Sequence, residues 1–546
     1  MAEPKPWINS YDSGVPRHIK YPNISLGEML DITVEKYSNC IFTFDNEKPI
    51  TYAEFNTKCD LLAKNLLQAG VNHGDSFALC LINDWKFILA FFAILKAGAI
   101  VVGINPLLKL DEITQMLRKS HTRWLITDTN LVQVSQIKKV VLSLKGIILA
   151  DSKPVSESQK ALVSKIKTIY LSNLIRKESH FDFKLPHISA DSPAIFQFTG
   201  GTTGSPKAAI GTHYNLVANV IQFRNWLREL SEGEETMLAA IPLTHVYGLV
   251  LAMCLGVYLG SRIICISNPR DMKLIIQNIE KYKVTVFPAV PNLLFGIVNE
   301  VRGRTQKPNL DSLKVIISGS SPLHPDIQKE FNALTKGSLV EGYGLSEAPT
   351  ATHCNPDKGV HKPGSIGLPL PDVDCRVVKI ENSKINTKAG ELGELLIKGP
   401  QVMQGYYKNL GESRKVLKNG WLYTGDIVKM DSEGYFYLID RKKDVIKVSG
   451  FQVWPREVED VLTSHPFIKE AGVVGVKDKR QGEKVVAWIV PYPNTNITKE
   501  ELRIWCRDRL STFKVPSEFE FLNALPRTPI GKILRRELVT LKKDPG

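Results

Sequence analysis

The sequence predicts an α/β protein in two unequal parts: a large, multi-layered amino-terminal domain built on parallel sheets, and a small α+β carboxy-terminal domain. Three observations predict it. The chain has 546 residues, too many for one hydrophobic core, so two or more domains follow, one of them large. Through residues 1–440, short apolar runs rich in β-branched side chains alternate with helix-length segments, the pattern of α/β layers. After Asp440 the pattern changes, and the charged run Arg441-Lys442-Lys443-Asp444 opens a stretch, residues 441–546, with a core pattern of its own.

Taken in order, residues 77–81 read as a strand, 85–95 as a helix, 99–104 as a strand and 111–117 as the start of another helix. Residues 194–198 form a short apolar strand ahead of a glycine-rich loop. The polar, helix-length segment 271–282 comes before strands at 284–287 and 315–317. Two turns are expected after strands: Gly319-Ser320-Ser321-Pro322, and Gly342-Tyr343-Gly344 after Leu339-Val340. Ligands of open α/β sheets gather beyond the carboxyl ends of strands, so the loop and both turns are placed where a site belongs. Residues 435–439 alternate like a strand. Beyond them, Pro455 can open a helix with Val458, Val461 and Leu462 on one face. Thr498 and Glu501 form a capping box before residues 502–510, and strands at 472–476 and 485–490 supply a sheet.

Composition narrows the function classes. Hydrophobic content of 43% with 23% charged residues suits a folded globular chain rather than a disordered one. The eight cysteines are scattered, with no Cys-x-x-Cys pair or ligand-spaced Cys/His cluster, and read as reduced thiols of a cytoplasmic protein. Residues 1–7 lack the apolar core of a secretory signal, so no export is expected. The apolar stretches 87–104 and 248–260 fall short of the roughly 20 uninterrupted residues a bilayer needs and read as buried helices; peripheral membrane contact stays open. A net charge of +14 suits polyanionic partners. With no helix-turn-helix, zinc-finger or RNP motif, small polyanions rather than nucleic acid are expected.

Residues 199–207, Thr-Gly-Gly-Thr-Thr-Gly-Ser-Pro-Lys, place three glycines, four hydroxyls and a lysine after a strand. Glycines let backbone N–H groups approach a phosphate, hydroxyls donate to it, and lysine supplies compact positive charge. A plain surface loop is the alternative on composition alone. The P-loop of nucleoside triphosphatases is excluded, because the glycine spacing is too short, Pro206 intervenes, and Ala208 stands where a magnesium-binding hydroxyl would follow the lysine.

The loop resembles the signature loop of the adenylate-forming superfamily of acyl-CoA synthetases, 4-coumarate:CoA ligases, luciferases and non-ribosomal adenylation domains. Further matches follow in the family's order: Ile241-Pro242-Leu243-Thr244-His245-Val246-Tyr247-Gly248, Glu341-Gly342-Tyr343-Gly344-Leu345-Ser346-Glu347, Tyr423-Thr424-Gly425-Asp426, Asp440-Arg441 through Gly450-Phe451-Gln452, and Pro526-Arg527-Thr528-Pro529-Ile530-Gly531-Lys532. They cover essentially the whole chain. The resemblance is closest to long-chain fatty acyl-CoA synthetases, on the Thr-Gly-Gly-Thr-Thr-Gly and Glu-Gly-Tyr-Gly-Leu forms and the amino-terminal Pro-Trp.

That resemblance implies ATP-dependent activation of a medium- or long-chain carboxylic acid as acyl-AMP, followed by thioester formation with coenzyme A. Thr199, Gly200, Gly201, Thr202, Thr203, Gly204 and Lys207 would cradle phosphates; Gly319, Ser320 and Ser321 would line the adenine slot; Tyr343 would stack on adenine. Glu341, Gly342, Gly344 and Ser346 belong to the same nucleotide motif. Glu347 is the magnesium candidate, since a hard cation prefers oxygen ligands. Asp426 would accept ribose hydroxyls, assisted by Arg441. Lys532 would bridge carboxylate and phosphate oxygens, cancelling the repulsion between two anionic reactants. His245, with Val246, Tyr247, Val290, Leu294 and Gly344, would border the acyl pocket. Lys443 matches the hinge, about which a mobile small domain would exchange Lys532 for a coenzyme A face carrying Lys447, Ser449, Gly450 and Phe451.

Departures are few: Gly200 stands for the commoner serine, Ala208 for glycine and Ser346 for threonine. An acyl-AMP ligase or luciferase-like enzyme, with a different second half-reaction, is the alternative. Residues 344–348 approximate the Gly-x-Ser-x-Gly elbow of serine hydrolases but lack its last glycine. Nothing in the sequence sets one oligomeric state, and a monomer or a homodimer is compatible with it.

Overall fold

The structure is a computed structural model and describes residues 5–128, 141, 143–150, 167–176, 184–199, 206–449, 451–478, 480–528 and 531–543. Among these, an eight-stranded sheet takes the order Gly405–Tyr406, Lys207–Thr212, Pro193–Thr199, Ile100–Gly103, Ser76–Cys80, Trp124–Thr127, Gly146–Leu149, Lys167–Tyr170. The first two pairings are antiparallel and the others parallel. A seven-stranded sheet runs Arg262–Cys265, Thr236–Ala239, Val286–Ala289, Val315–Ser318, Ser338–Leu345, Ala348–Cys354, Leu368–Pro369. Its first five strands are mutually parallel. Thr236–Ala239, Val286–Ala289 and Val315–Ser318 are buried at every residue, as strands of a parallel sheet covered on both faces are.

The helix expected at 85–95 spans Trp85–Lys96, and every residue but Lys86 is buried. Such an all-round apolar helix lies in a core rather than at a surface. Lys96 ends it inside the protein, held by Asp31 and Asp60 carboxylates at 2.6 Å each. The apolar stretch 248–260 is likewise a buried helical segment, Gly248–Cys254 continued by Leu255–Tyr258. No helix among the described residues is long and apolar enough to cross a membrane, and all eight cysteines are free thiols.

An antiparallel sheet of Asp374–Val378, Gly393–Lys398, Trp421–Met430, Leu417–Lys418 and Phe436–Arg441 follows. Its last strand ends in a turn in which Asp444 N–H returns to the Arg441 carbonyl at 3.0 Å. A separate sheet then begins at Ile446–Val448 and includes Phe451–Val453, Gly482–Pro491, Ile468–Asp478 and Glu518–Phe521. Helices Pro455–Thr463, with its proline at the first turn, and Lys499–Arg507, with the Thr498/Glu501 capping box formed, pack on it. This sheet buries its own apolar clusters, one around Val473 and Ile489 and one around Trp488 and Leu538. Neither merges with the core of the larger body.

One expected turn is not a turn. Residues 342–344 continue the strand Ser338–Leu345, which is parallel to Val315–Ser318 as far as Glu341 and then pairs antiparallel with Ala348–Cys354. The glycines serve close approach of two backbones. A Cβ on Gly344 would lie 1.7 Å from the Thr350 carbonyl oxygen.

Candidate active site

The site forms where these sheets end. Val315–Ser318 runs into Gly319, whose missing Cβ makes room for Tyr247: a methyl there would lie 3.2 Å from the ring. Ser320 reverses the chain at φ 75°. The Tyr247 hydroxyl donates to the carbonyls of Ala289 at 3.0 Å and Ile317 at 2.6 Å, which fixes the ring at the strand ends.

A cavity opens between these elements. It is lined by His245, Val246, Tyr247, Gly319, Ser320, Gly342, Tyr343, Gly344, Ser346 and Lys532, and completed by Phe223, Leu251, Ile317, Leu345, Thr350 and Ala351. Residues from five separated stretches thus meet, including a lysine from the carboxy-terminal unit. Val290 and Leu294 are not in this lining. Leu294 is fully buried in the core of the helix Pro291–Arg302, and Val290 caps that helix. The apolar wall comes from Phe223, Leu251, Ile317 and Ala351 instead.

Beside the cavity, Asp426 is 1% exposed. Its Oδ2 accepts the Tyr343 hydroxyl, and its Oδ1 meets Arg441 Nε at 2.6 Å. Antiparallel register sets Asp426 directly opposite Arg441. The Oδ1 contact is not a well-directed hydrogen bond, so a buried acceptor oxygen remains for a hydroxyl donor. The Asp426 carboxylate raises the Arg441 pKa, so the guanidinium is charged at every accessible pH.

A second polar cluster joins Glu347, Tyr406, Lys207 and Glu412. The Tyr406 hydroxyl donates to Glu347 Oε1 at 2.7 Å. Lys207 Nζ lies 5.3 Å from the centre of the Tyr406 ring and pairs with Glu412. Hydrogen bonding from Lys207, then Lys415, lowers the Glu412 pKa to about 2. Among the described residues no group of three or more His, Cys, Asp or Glu could hold a metal ion. Glu347 fits magnesium of the kind that takes one carboxylate, waters and substrate phosphates.

Lys532 is presented by a tight loop in which Thr528 N–H donates to the Lys532 carbonyl at 2.8 Å, Lys532 N–H to Thr528 Oγ1 at 3.1 Å, and Arg527 Nη1 to the Gly531 carbonyl at 2.5 Å. Gly531 takes φ 83° and passes the Asn292 side chain. Lys532 keeps solvent access in an open crevice, yet the surrounding protein desolvates it. That desolvation, with Arg441 nearby and Asp426 and Glu347 opposing, lowers its pKa to about 8. Burial, then Lys532, lowers His245 to about 3, so its imidazole is neutral. Its Nδ1 accepts the Tyr247 N–H at 3.3 Å.

Other expected positions are engaged differently. The Glu341 carboxylate accepts N–H groups of Leu323 at 3.4 Å and Gly364 at 3.2 Å, an internal brace whose burial raises its pKa. Ser321 adjoins Ser320 but is not in the lining. Thr199 and Lys207 face each other across the mouth of a hairpin; Gly200, Gly201, Thr202, Thr203 and Gly204 between them, and Gly450, lie outside the described residues. Lys447, Ser449 and Phe451 are exposed and absent from the cavity; Phe451 stacks on Phe513 at 4.6 Å. Ser346 follows a strand and precedes the strand Ala348–Cys354, not the helix a hydrolase elbow requires. Sequence reasoning missed Tyr406, Glu412 and Phe223, whose neighbours carry no local signal of a site, and Leu251, which lies three residues past the motif that ends at Gly248.

Comparison with known proteins gives consistent matches. The family described as AMP-binding enzyme matches residues 30–407, and the AMP-binding enzyme C-terminal domain matches residues 457–532. A long-chain-fatty-acid–CoA ligase of Bacillus subtilis (strain 168) is 36% identical over 99% of this chain and 98% of its own. An Escherichia coli O6:H1 protein of the same name is 34% identical over 98% of each. Among solved structures, an anthranilate CoA ligase bound to anthranoyl-AMP superposes with TM-score 0.84 at 25% identity, covering 96% of this chain and 98% of that one. The o-succinylbenzoate CoA synthetase of Bacillus subtilis, with ATP and magnesium ion, gives 0.80 at 26% identity, covering 94% and 99%.

Proposed function

This chain belongs to the AMP-binding enzyme family, and from that premise we infer that it is an ATP-dependent fatty acid–CoA ligase. It activates a medium- or long-chain carboxylic acid as acyl-AMP with release of pyrophosphate, then forms the coenzyme A thioester and releases AMP; the reaction uses ATP, Mg2+ and coenzyme A. The observation that carries the site assignment is the convergence of Lys532 on a cavity walled by His245, Tyr343 and Gly344, beside buried Asp426.

In this reading Lys532 neutralises the approach of a carboxylate to the α-phosphate. The crevice desolvates that lysine, which strengthens its field and ties its charge to pH. Asp426 offers its buried oxygen to ribose hydroxyls, with Arg441 as a second contact and Tyr343 oriented through its hydroxyl. Gly319, Ser320 and Ser321 border the adenine. His245, neutral and backed by Tyr247, closes the acyl side without adding a charge. Glu347 would hold Mg2+, which when bound draws charge from phosphate oxygens, and Lys207 would exchange Glu412 for a phosphate. The substrate carboxylate is itself the nucleophile, so none is required from the protein.

The reading also divides the chain near residue 440, with Lys443 in the turn as the hinge and Lys447, Ser449, Gly450 and Phe451 as the face delivered for the second step. The location is cytoplasmic, with peripheral membrane contact available for collecting an acyl substrate. The test is pyrophosphate release over a panel of straight-chain, branched and aromatic acids, with and without coenzyme A. Release dependent on a fatty acid, and acyl-CoA formed only with coenzyme A, is the expected outcome. Acyl-AMP that accumulates and is never transferred to coenzyme A would overturn the ligase assignment.

A further inference from the structure

Tyr406 stands outside every motif used above, yet it touches two of them. Its hydroxyl donates to Glu347 Oε1 at 2.7 Å, and its ring lies 5.3 Å beneath the Lys207 ammonium. The tyrosine is itself held: its N–H donates to Ser413 Oγ at 2.8 Å, and its short strand pairs with Ala209 and Ile210, the continuation of the strand that begins at Lys207. Ser413 and Glu412 share the helix Leu410–Val416, so one element carries both the brace on Tyr406 and the ion-pair partner of Lys207.

We infer that Tyr406 is a positioning residue, which sets the magnesium-facing carboxylate of Glu347 and the phosphate-facing ammonium of Lys207 at one fixed separation before nucleotide binds. The inference rests on the ligase reading and on Glu347 as the metal carboxylate. Physically, a hydrogen bond to one carboxylate oxygen leaves the other free and fixes its direction, while the ring face attracts a cation without neutralising it. Glu412 completes the arrangement as a stand-in anion that holds Lys207 extended until a phosphate displaces it.

Two variants separate the contacts. Tyr406→Phe keeps the ring under Lys207 and removes the donor to Glu347; Tyr406→Ala removes both. Calorimetric binding of a non-hydrolysable ATP analogue, with Mg2+ and with EDTA, reads the site without turnover. Tyr406→Phe should weaken binding of the magnesium complex about tenfold while leaving metal-free binding within about twofold, whereas Tyr406→Ala should weaken both. Transfer from supplied acyl-AMP to coenzyme A, which needs neither group, should fall far less than magnesium-dependent binding in Tyr406→Phe, whose ring still packs, and circular dichroism of both variants checks folding. Unchanged magnesium-dependent binding in Tyr406→Phe overturns the inference, as does an equal loss in both half-reactions. Failure of the parent protein to bind the analogue at all would instead overturn the ligase reading.

Discussion

At the scale of single residues, the role proposed for Lys532 makes its charge the first quantity to test. Its pKa is lowered to about 8 by the surrounding protein, then by Arg441. In the proposed role the protonated form is the working form, so kcat/KM for pyrophosphate release should fall as pH rises through about 8. Lys532→Arg, which stays charged, should lose that alkaline limb even if its longer side chain slows the reaction. Lys532→Ala should cut acyl-AMP formation by about 10²–10³-fold while transfer from supplied acyl-AMP continues; stopped-flow pyrophosphate release checks both. Asp426→Asn should raise the KM for ATP at least about tenfold, because the buried oxygen offered to a hydroxyl then competes with an amide. Lys532, Asp426 and Glu347 were legible as candidates because each sits in a local motif with its own spacing. Tyr406 was not, since it lies 59 residues from Glu347 and 199 from Lys207, and only folding brings them together.

At the scale of elements, the strand Ser338–Leu345 shows how a local signal can be read correctly and assigned wrongly. Its glycines were expected to make a turn, the usual use of Gly-x-Gly after a strand. They instead admit the Thr350 backbone, which no local pattern announces. Gly344→Ala is therefore expected to cost about 1–3 kcal/mol, measured as a lowered denaturation midpoint, since the obstacle at 1.7 Å is backbone and cannot rotate away. Gly411→Ala is the contrasting control. It sits in the helix Leu410–Val416 with nothing within 4 Å of the new methyl, and should be neutral or stabilising by up to about 1 kcal/mol. Arg535, three residues beyond Lys532, ties its helix to Glu459 at 2.8 Å and approaches Asp440 and Asp444 at 3.5 and 3.4 Å. Arg535→Ala strands a largely buried Glu459, and should destabilise the carboxy-terminal unit by about 3 kcal/mol, read by hydrogen exchange in its strands.

At the scale of the whole molecule, two bodies with separate cores meet across the turn 441–444, and Lys532 of the smaller one lines the cavity of the larger. Lys532 reaches the cavity, whereas Lys447, Ser449 and Phe451 do not. Under the proposed function this arrangement serves acyl-AMP formation. Lys443→Pro fixes φ at the turn and constrains Lys442; it should spare pyrophosphate release and slow thioester formation at least about tenfold. Equal rates in both steps would remove the hinge from the mechanism.

By itself the sequence determined the layered α/β class, the change of pattern after Asp440 and the identity of the charged residues offered for catalysis. Those properties live in periodicity and short spacing, which are local. Only the tertiary structure decided that Phe223 and Leu251, and not Val290 and Leu294, line the cavity, that Gly344 serves a backbone contact, and that Tyr406 joins Glu347 to Lys207. Each of these depends on strand register and on packing between segments far apart in the chain, where the partner, and not the residue's own neighbourhood, sets what a side chain does.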